Sequence, residues 1–433
     1  MKQPRIGFAG MTHLGVNSLA GALVRGFPAM GYDPDAGVIN GLRNGKPPVL
    51  EPDLPETLAK HAEKAEYTSD LGALGRCDVV YIATDVPTDD TGASDLSGIR
   101  ALIDEVSRVL SREAILVVLC QVPPGFTRGL SFPPERLYYQ VETLVFGQAV
   151  SRAINPERFI VGCADPERAL PVSLATFLGG FGCPILPMRH ESAELAKISI
   201  NCCLVASVSV ANTLAEICES IGAVWSEIVP ALKLDRRIGQ YSYLSPGLGI
   251  AGGNLERDLA TIIRFSEQYQ TDAGVVRAWV ANSRHRRDWA AKTVRKAVLD
   301  ANPKAIIAIW GLAYKENTHS TKNSPSLATI AQLKDASLRL HDPVVPASAA
   351  NRADAVGATD PLEAARGADV LMILTPWPQY RSIAPAQIAA SLRGRVLIDP
   401  YAVIDANAAS KAGLDILTLG RPVMSATRGT ANA

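Results

Sequence analysis

The chain has 433 residues, more than one hydrophobic core usually contains, which favours two or three domains. Lysine plus arginine and aspartate plus glutamate number 43 each, so net charge gives no argument for binding nucleic acid or an anionic membrane surface. The seven cysteines show no C-x-x-C spacing, which predicts reduced thiols in a cytoplasmic protein and no metal site.

Over residues 1–165, short apolar runs alternate with helix-length amphipathic segments. The clearest runs are RIGFAG, CDVVYIATD, AILVVLCQV and RFIVGC. Short buried strands separated by helices are typical of a parallel, doubly wound α/β sheet. The first residues enter this pattern directly and contain no apolar signal-peptide segment, so we expect no secretory leader.

A turn of sequence GMTHLG, residues 10–15, joins the first predicted strand to a helix, and Asp33 closes the second strand. Together these features predict a dinucleotide site, with NAD favoured over NADP. Thr12 replaces the middle glycine of the G-x-G-x-x-G pattern, and we expect its β-branched side chain to crowd the cofactor. A tight turn that binds nothing is the alternative. The predicted cofactor contacts are Gly10, Thr12, His13, Leu14, Gly15, Asp33, Thr84 and Val122.

The middle of the chain, residues 190–298, has helical periodicity and few strand signals. Glu191, Glu194, Lys197 and Asn201 share one face of a long helix, which we expect to be buried nearly all round. Its uncharged run, residues 198–214, contains four serines or threonines and two asparagines, which favours a buried helix over a membrane span.

The strand and helix pattern returns near the C-terminus in AIIAIWGLAY, SLRLHDP, ADVLMILTP and RVLIDP. The sequence therefore predicts two Rossmann-like domains joined by a helical region. We expect the first domain at 1–188, the helical region at 189–298 and the second domain at 299–433.

Five segments resemble the UDP-glucose/GDP-mannose dehydrogenase family, in the order in which that family has them. The longest, GLAYKENTHSTKNSPSL, is similar to G-L-x-F-K-x-x-T-D-D-x-R-x-S-P. Members oxidise the C6 alcohol of a nucleotide sugar twice, reducing two NAD, for polysaccharide or glycoside biosynthesis. The resemblance implies an N-terminal NAD domain, a C-terminal nucleotide-sugar domain and a homodimer across the central helix. The segments are 39–54, 88–99, 122–127, 191–206 and 311–327.

The resemblance also implies roles for four polar residues. Lys197 and Asn201 match the family's proton-handling lysine and asparagine, and Asp258 matches the aspartate that orders the catalytic water. Glu142 matches a glutamate of N-P-E-F-L-x-E-G, although Phe146 and other neighbours depart from that stretch. Taken singly, these residues could be a snorkelling lysine, a helix-bonded amide, a helix N-cap and a solvated carboxylate.

The segment PGLGIAGGNLERD, residues 246–258, is similar to the family's P-G-x-G-x-G-G-x-C-x-P-K-D loop. The position of the nucleophilic cysteine is occupied by Asn254, and an amide cannot capture an aldehyde as a thiohemiacetal. We expect the glycines to form a flexible wall of the substrate pocket. The predicted substrate contacts are Arg237, Gly249, Gly252, Gly253, Tyr314, Lys315 and Lys322, with surface charge as the alternative for Arg237.

Three functions remain open from the sequence. The first is an NAD-dependent dehydrogenase of a UDP- or GDP-hexose that stops after the first oxidation. The second is a family member that binds a nucleotide sugar without catalysis, as a sensor or partner subunit. The third is a full two-step dehydrogenase with an unusual mechanism, either a different acyl carrier or direct hydration of the aldehyde. They differ in whether NAD binds and in how many NADH form per sugar.

Overall fold

The computed structural model describes residues 3–87 and 94–427, so residues 88–93 of the family-like segment 88–99 lie outside the described residues. The chain divides into two compact units, Met1–Ile200 and Asn201–Ala433. The division falls within the helical region that the sequence places at 189–298, and the three-part domain boundaries stay a prediction.

Eight strands form one sheet in the first unit. They are β1 Ile6–Ala9, β2 Ala29–Tyr32, β3 Ala65–Thr68, β4 Val79–Ile82, β5 Ile115–Val118, β6 Leu137–Gln140, β7 Phe159–Cys163 and β8 Ile185–Arg189. The spatial order is β3-β2-β1-β4-β5-β6-β7-β8, and only the β6–β7 pair among these is antiparallel. The order reverses between β1 and β4, where doubly wound sheets bind ligands.

Helices pack on both faces of this sheet because its central strands are apolar on both sides. Along β4, Val79 and Tyr81 belong to one core cluster, whereas Val80 and Ile82 belong to another. The helices are α1 His13–Val24, α2 Ala36–Arg43, α3 Leu54–Lys60, α4 Ser97–Val109, α5 Ala149–Ile154 and α6 Val172–Gly179.

A long helix, α7 His190–Ile221, begins in the first unit and continues into the second. Four more helices follow it: α8 Trp225–Leu234, α9 Asn254–Tyr269, α10 Gly274–Arg287 and α11 Trp289–Val294. The loop between α8 and α9 contains the glycine-rich segment, and α9 begins at Asn254.

Six strands form the sheet of the second unit: β9 Ile306–Trp310, β10 Ser337–His341, β11 Val356–Gly357, β12 Val370–Ile373, β13 Val396–Ile398 and β14 Asp415–Leu417. Their order is β11-β10-β9-β12-β13-β14, all parallel. The associated helices are α12 Pro325–Gln332, α13 Pro361–Ala365, α14 Pro378–Arg381, α15 Pro385–Ser391 and α16 Ala406–Lys411. The predicted fold class, two Rossmann-like sheets and a helical region, is confirmed.

The two sheets share one structural device at the end of their first strands. Gly10 has φ +99° and Gly311 has φ +96°, a conformation that side chains rarely adopt. A Cβ on Gly10 would lie 2.9 Å from the Cβ of Thr84, and one on Gly311 would overlap Thr375. Thr84 follows β4, which pairs with β1, and Thr375 follows β12, which pairs with β9. The similar sequence patterns of the two halves therefore correspond to equivalent positions in the two sheets.

The expectation that α7 is buried nearly all round is wrong. Only 39% of its most apolar 18-residue window is buried, and Val210, Leu214, Ile217 and Ile221 are exposed. By length and composition, α7 alone among the described helices could cross a membrane. A run of small and apolar residues does not distinguish a helix covered on all sides from one with a single uncovered face.

Candidate active site

The GMTHLG turn has the backbone geometry that a dinucleotide site requires. Gly10 follows β1, Thr12 is the N-cap of α1, and Gly15 lies in the first turn of that helix. A Cβ on Gly15 would overlap the carbonyl oxygen of Gly10, so the close approach of helix to strand needs glycine there. The Asp33 carboxylate accepts from the Met11 N–H at 2.8 Å and thereby connects the end of β2 to this turn.

Thr12 and Leu14 lie in different surroundings within this turn. The Thr12 hydroxyl donates to the carbonyl oxygen of Ala83 at 3.2 Å, at the end of β4. The Leu14 side chain is buried in the core of the first unit, as is that of Val122. Because both side chains are buried, the main chains of Leu14 and Val122 are the groups available for the predicted cofactor contacts.

His13 belongs to a buried cluster that the sequence did not reveal. Its Nε2 lies 3.1 Å from Oε2 of Glu51, and its ring stacks on Phe146 with centroids 4.0 Å apart. The other carboxylate oxygen of Glu51 accepts from the Ala149 N–H at 2.8 Å, at the start of α5. Glu51 therefore connects the first turns of α1 and α5. No local pattern joins residues separated by 38 positions.

The VPPGFT turn is held by α7. Glu194 is fully buried and accepts from the main-chain N–H groups of Gly125 at 2.6 Å and Thr127 at 2.8 Å. Burial raises the pKa of Glu194, and its hydrogen bonds oppose that rise. Glu191 pairs with Arg128 nearer the surface. The two glutamates of the predicted polar face therefore position the turn after β5 rather than a ligand.

Lys197 and Glu142, two of the predicted catalytic residues, lie together in the first unit. The Lys197 Nζ is 3.5 Å from Oε2 of Glu142, and both side chains are largely buried. The other oxygen of Glu142 accepts from the Leu144 N–H, which fixes the carboxylate in the loop after β6. A buried ammonium paired with a carboxylate is suited to donating to a developing alkoxide.

Asn201 and Asp258 form the second predicted pair, in the second unit. The Asn201 Nδ2 donates to Oδ2 of Asp258 at 2.5 Å, and Asp258 is almost fully buried on α9. The Arg257 guanidinium Nε lies 3.6 Å from the other oxygen of Asp258 and is itself buried. Asn201 is one helical turn beyond Lys197 on α7, so this single helix presents both groups.

Backbone contacts and hydrogen bonds hold the glycine-rich loop against its neighbours, and its flexibility stays a prediction. Gly249 has φ +80°, and a Cβ there would overlap the carbonyl oxygen of Ser283. The Ile250 N–H donates to the Ser283 hydroxyl at 2.8 Å, and the Gly252 N–H donates to the Lys322 carbonyl at 3.1 Å. The Asn323 amide donates to the Gly252 carbonyl at 2.8 Å. The glycines thus serve positive φ angles and close backbone approach.

Two predicted substrate residues, Tyr314 and Lys322, lie against this loop, and a third, Lys315, lies beside the Tyr314 ring. The Tyr314 ring is 3.2 Å from a Cβ built on Gly252, and the Lys322 side chain is 3.7 Å from one built on Gly253. The Lys315 Nζ lies 5.8 Å from the centroid of the Tyr314 ring. Burial raises the pKa of Tyr314 to about 12, so the phenol stays protonated at neutral pH and can donate a hydrogen bond.

Arg237 does not join this group in the second unit. Its side chain is 89% exposed and binds Asp235 through Nε at 3.0 Å and a terminal nitrogen at 2.6 Å. The structure therefore supports the surface-charge alternative for Arg237 within this chain.

Asn254 is the first residue of α9 and is exposed. Cys202 on α7 is near enough to Asp258 for the two charges to interact. Burial, together with that carboxylate, raises the pKa of Cys202 to about 11. It is therefore a neutral thiol at physiological pH and a poor nucleophile. Cys218 is buried in another core cluster.

The dinucleotide turn and doubly wound sheet of the first unit, and the Rossmann-like sheet of the second unit, place the chain among nucleotide-binding α/β proteins. Three domain profiles of the UDP-glucose/GDP-mannose dehydrogenase family match the chain: the NAD binding domain over residues 4–175, the central domain over 191–284 and the UDP binding domain over 308–406. The chain belongs to this family.

Characterised relatives match over nearly the whole length. The chain is 27% identical to the UDP-glucose 6-dehydrogenase TuaD of Bacillus subtilis, covering 92% of this chain and 88% of the relative. It is 28% identical to the UDP-glucose 6-dehydrogenase of Pseudomonas aeruginosa, covering 88% and 89%. The fold resembles a UDP-glucose dehydrogenase from Pyrobaculum islandicum with a TM-score of 0.82, at 24% identity over 93% of this chain and 95% of that one.

NAD is the cofactor, as the match to the NAD binding domain indicates. The turn fits this group, because Gly10 and Gly15 leave space that a Cβ would fill and the turn lies where the strand order reverses. Gly10, Gly15 and the α1 N-terminus would hold the pyrophosphate, and Asp33 would hold a ribose.

Proposed function

We propose that this protein is an NAD-dependent dehydrogenase that oxidises the C6 alcohol of a UDP-hexose once and releases the aldehyde. The observation that supports this proposal is Asn254 at the start of α9, within a loop whose other groups are retained. Asp258 keeps its bond to Asn201, so the proton-handling groups are present while the thiol is absent from its family position.

The first oxidation needs a hydride acceptor and groups for one proton. When bound, NAD would supply the acceptor for the hydride that leaves the alcohol carbon. The hydroxyl proton leaves to a water ordered by Asp258, and the Lys197 ammonium and the Asn201 amide donate to the developing alkoxide. The Glu142 carboxylate, 3.5 Å from Lys197, keeps that ammonium in position.

The second oxidation needs a nucleophile for the aldehyde, and three of the described groups around Asn254 and Asp258 are poorly suited to that role. The Asn254 amide nitrogen is not nucleophilic because its lone pair is delocalised into the carbonyl. The neighbouring carboxylate, Glu256, is engaged by Arg287 at 2.9 Å and by Asn323. The Cys202 thiol is protonated and packs among the apolar residues beside α9. These contacts favour one oxidation over two.

The proposal is tested by incubating the protein with NAD and a panel of UDP-, GDP- and TDP-hexoses. NADH is measured by absorbance and the product by mass spectrometry, with a hydrazine reagent to trap an aldehyde. We expect one NADH per sugar and a trapped aldehyde for a UDP-hexose. Two NADH per sugar with an acid product would show the full reaction, and tight sugar binding without NADH would show a non-catalytic member.

The proposal includes a cytoplasmic homodimer. Val210, Leu214, Ile217 and Ile221 follow one another on α7 at intervals of four, three and four residues, and all are exposed. This spacing gives one apolar stripe on a helix, which a second copy of the same helix would cover.

A further inference from the structure

Asp85 lies two residues beyond the contact between β4 and the first turn of α1. The Ala83 N–H donates to the Ala9 carbonyl at 2.8 Å, and the Ala83 carbonyl accepts from the Thr12 hydroxyl at 3.2 Å. Gly10 approaches Thr84 so closely that a Cβ would be 2.9 Å from the threonine Cβ. The chain therefore leaves β4 directly beside the N-terminus of α1, and Asp85 is the first acidic residue there.

The α1 N-terminus has no anion of its own. Its first turn contains no acidic residue, and Thr12 makes no side-chain capping bond. The partial positive charge of a helix N-terminus is thus available to a carboxylate from another segment. Thr12 and the His13 N–H are near enough to the Asp85 carboxyl to lower its pKa.

Other charged groups surround Asp85 in the first unit. His13 on α1 favours the carboxylate form, whereas Glu142 in the loop after β6 disfavours it. Each of these two has a partner, Glu51 for His13 and Lys197 for Glu142. Cys120 at the end of β5 is also near, and burial keeps its pKa raised, so it is a neutral thiol.

Asp85 is exposed to solvent as a residue, yet dehydration of its carboxyl by the surrounding chain raises its pKa and outweighs the lowering by His13 and Thr12. Protonation near neutral conditions is therefore easier for Asp85 than for an aspartate on a convex surface.

A cofactor pyrophosphate is expected at this same helix N-terminus. We propose that the Asp85 carboxylate competes with the pyrophosphate of NAD for the start of α1, so that binding requires Asp85 to be displaced or protonated. The second sheet supplies an internal comparison, because Pro376 follows Thr375 where Asp85 follows Thr84. The acidic side chain at this position is therefore found in the NAD-binding sheet and not at the equivalent position of the second sheet. This inference rests on NAD being the cofactor in the proposed function.

The sign of the pH effect follows from charge. Above the pKa of Asp85 in the free protein, a second anion at α1 favours the protonated carboxyl, so NAD binding takes up a proton and weakens as pH rises. Below that pKa the carboxyl is already neutral, and binding takes up no proton from Asp85. Asp85→Asn keeps the size of the side chain and removes the charge.

Calorimetric titration with NAD from pH 5.5 to 8.5, in buffers of different ionisation enthalpy, tests this proposal. For the unaltered protein we expect the Kd to rise with pH and proton uptake to accompany binding. We expect D85N to bind NAD about tenfold more tightly at pH 8 and to lose both the pH dependence and the proton uptake. Adenosine, which has no pyrophosphate, serves as the ligand control.

Asp104 on α4 is exposed and supplies the matched control, because D104N makes the same charge change away from α1. D104N should bind NAD as the unaltered protein does. A Kd for D85N within twofold of the unaltered protein, or unchanged proton uptake, would overturn the proposal. If neither the unaltered protein nor D85N binds NAD, both the Asp85 proposal and NAD-dependent catalysis are overturned. An acid product would contradict only the proposal of a single oxidation.

Discussion

Asn254 occupies a position at which a cysteine would be activated by its surroundings. It is the first residue of α9, where the helix dipole stabilises a thiolate. It is also exposed, so a substrate can reach it without rearrangement of the loop. In the proposed function, the amide cannot form a thiohemiacetal, so the limit to one oxidation depends on the Asn254 side chain.

Asn254→Cys is therefore expected to add the second oxidation. The NADH formed per sugar should rise from one towards two, the product should become the acid, and a thioester should be trapped by mass spectrometry of the denatured protein. Asn254→Ala is the matched control and should leave one NADH per sugar. If N254C still releases only the aldehyde, groups other than the thiol are missing as well.

Asp399 supplies a prediction about pH and stability. It is fully buried at the end of β13, and burial raises its pKa from the ordinary 3.8 to about 6 despite hydrogen bonds such as that from the Ile404 N–H. A carboxyl whose pKa is higher in the folded state than in the unfolded state stabilises the folded state fully at pH values below its unfolded-state pKa. That contribution is lost as pH rises from about 4 to 6, by roughly 3 kcal/mol.

Urea unfolding of Asp399→Asn between pH 4 and 7 measures this contribution. The difference in unfolding free energy between the unaltered protein and D399N should change in favour of D399N as pH rises through about 6, the pKa of Asp399. Asp300 is exposed, so D300N should run parallel to the unaltered protein. A pH-independent difference for D399N would mean that the folded protein holds this carboxylate ionised.

At the scale of elements, the glycine-rich loop positions α9 through its backbone. Gly249 combines φ +80° with a close approach to the Ser283 carbonyl, whereas Gly253 has φ −114° and 3.7 Å to the nearest atom that a Cβ would meet. The two glycines lie on one loop, but the Cβ of an alanine would meet different surroundings at each. Comparing an alanine at each position therefore separates the cost of positive φ and steric overlap from the cost of any substitution in this loop.

Gly249→Ala is expected to lower the free energy of unfolding by about 2 kcal/mol, because alanine is strained at positive φ and its Cβ overlaps Ser283. Turnover should fall too, since Asp258 is carried by the displaced helix. Gly253→Ala is the control and should cost less than about 1 kcal/mol. Chemical denaturation measures both, and equal losses would contradict the assigned role of Gly249.

The sequence predicted where this loop lies in the chain, but not the contacts that hold it. Glycine content alone does not distinguish a mobile segment from one held by Ser283, Lys322 and Asn323, since those partners lie 30 or more positions away. The same limit applied to His13, because its partner Glu51 comes from a distant segment. Contacts between distant residues depend on tertiary structure.

At the scale of the whole molecule, the predicted fold was correct because its signals are local and repeated. Apolar runs closed by Gly, Pro or Asp mark the strands, and Gly10 and Gly311 mark equivalent turns in the two sheets. The burial of α7 could not be predicted in the same way. Its composition is apolar on more than one face, and only packing shows which face is covered.

The uncovered face of α7 leads to the last prediction, which concerns assembly. Val210, Leu214, Ile217 and Ile221 are 53%, 40%, 47% and 70% exposed in the single chain. Burying such side chains contributes about 1.5–3 kcal/mol each when complete, so a matching helix would gain stability there. Ile217→Glu places a charge in the middle of the stripe and should shift the protein from dimer to monomer.

Sedimentation velocity at several protein concentrations distinguishes the two species. The control is Val275→Glu, because Val275 is 56% exposed on α10 and lies outside the α7 stripe. V275E should sediment as a dimer, like the unaltered protein, whereas I217E should sediment as a monomer that keeps its helical circular dichroism. A buried charge in that interface would be too costly to retain, so an I217E variant that remains a dimer would show that the α7 stripe does not join two copies. An unaltered protein that is a monomer at every concentration would show the same.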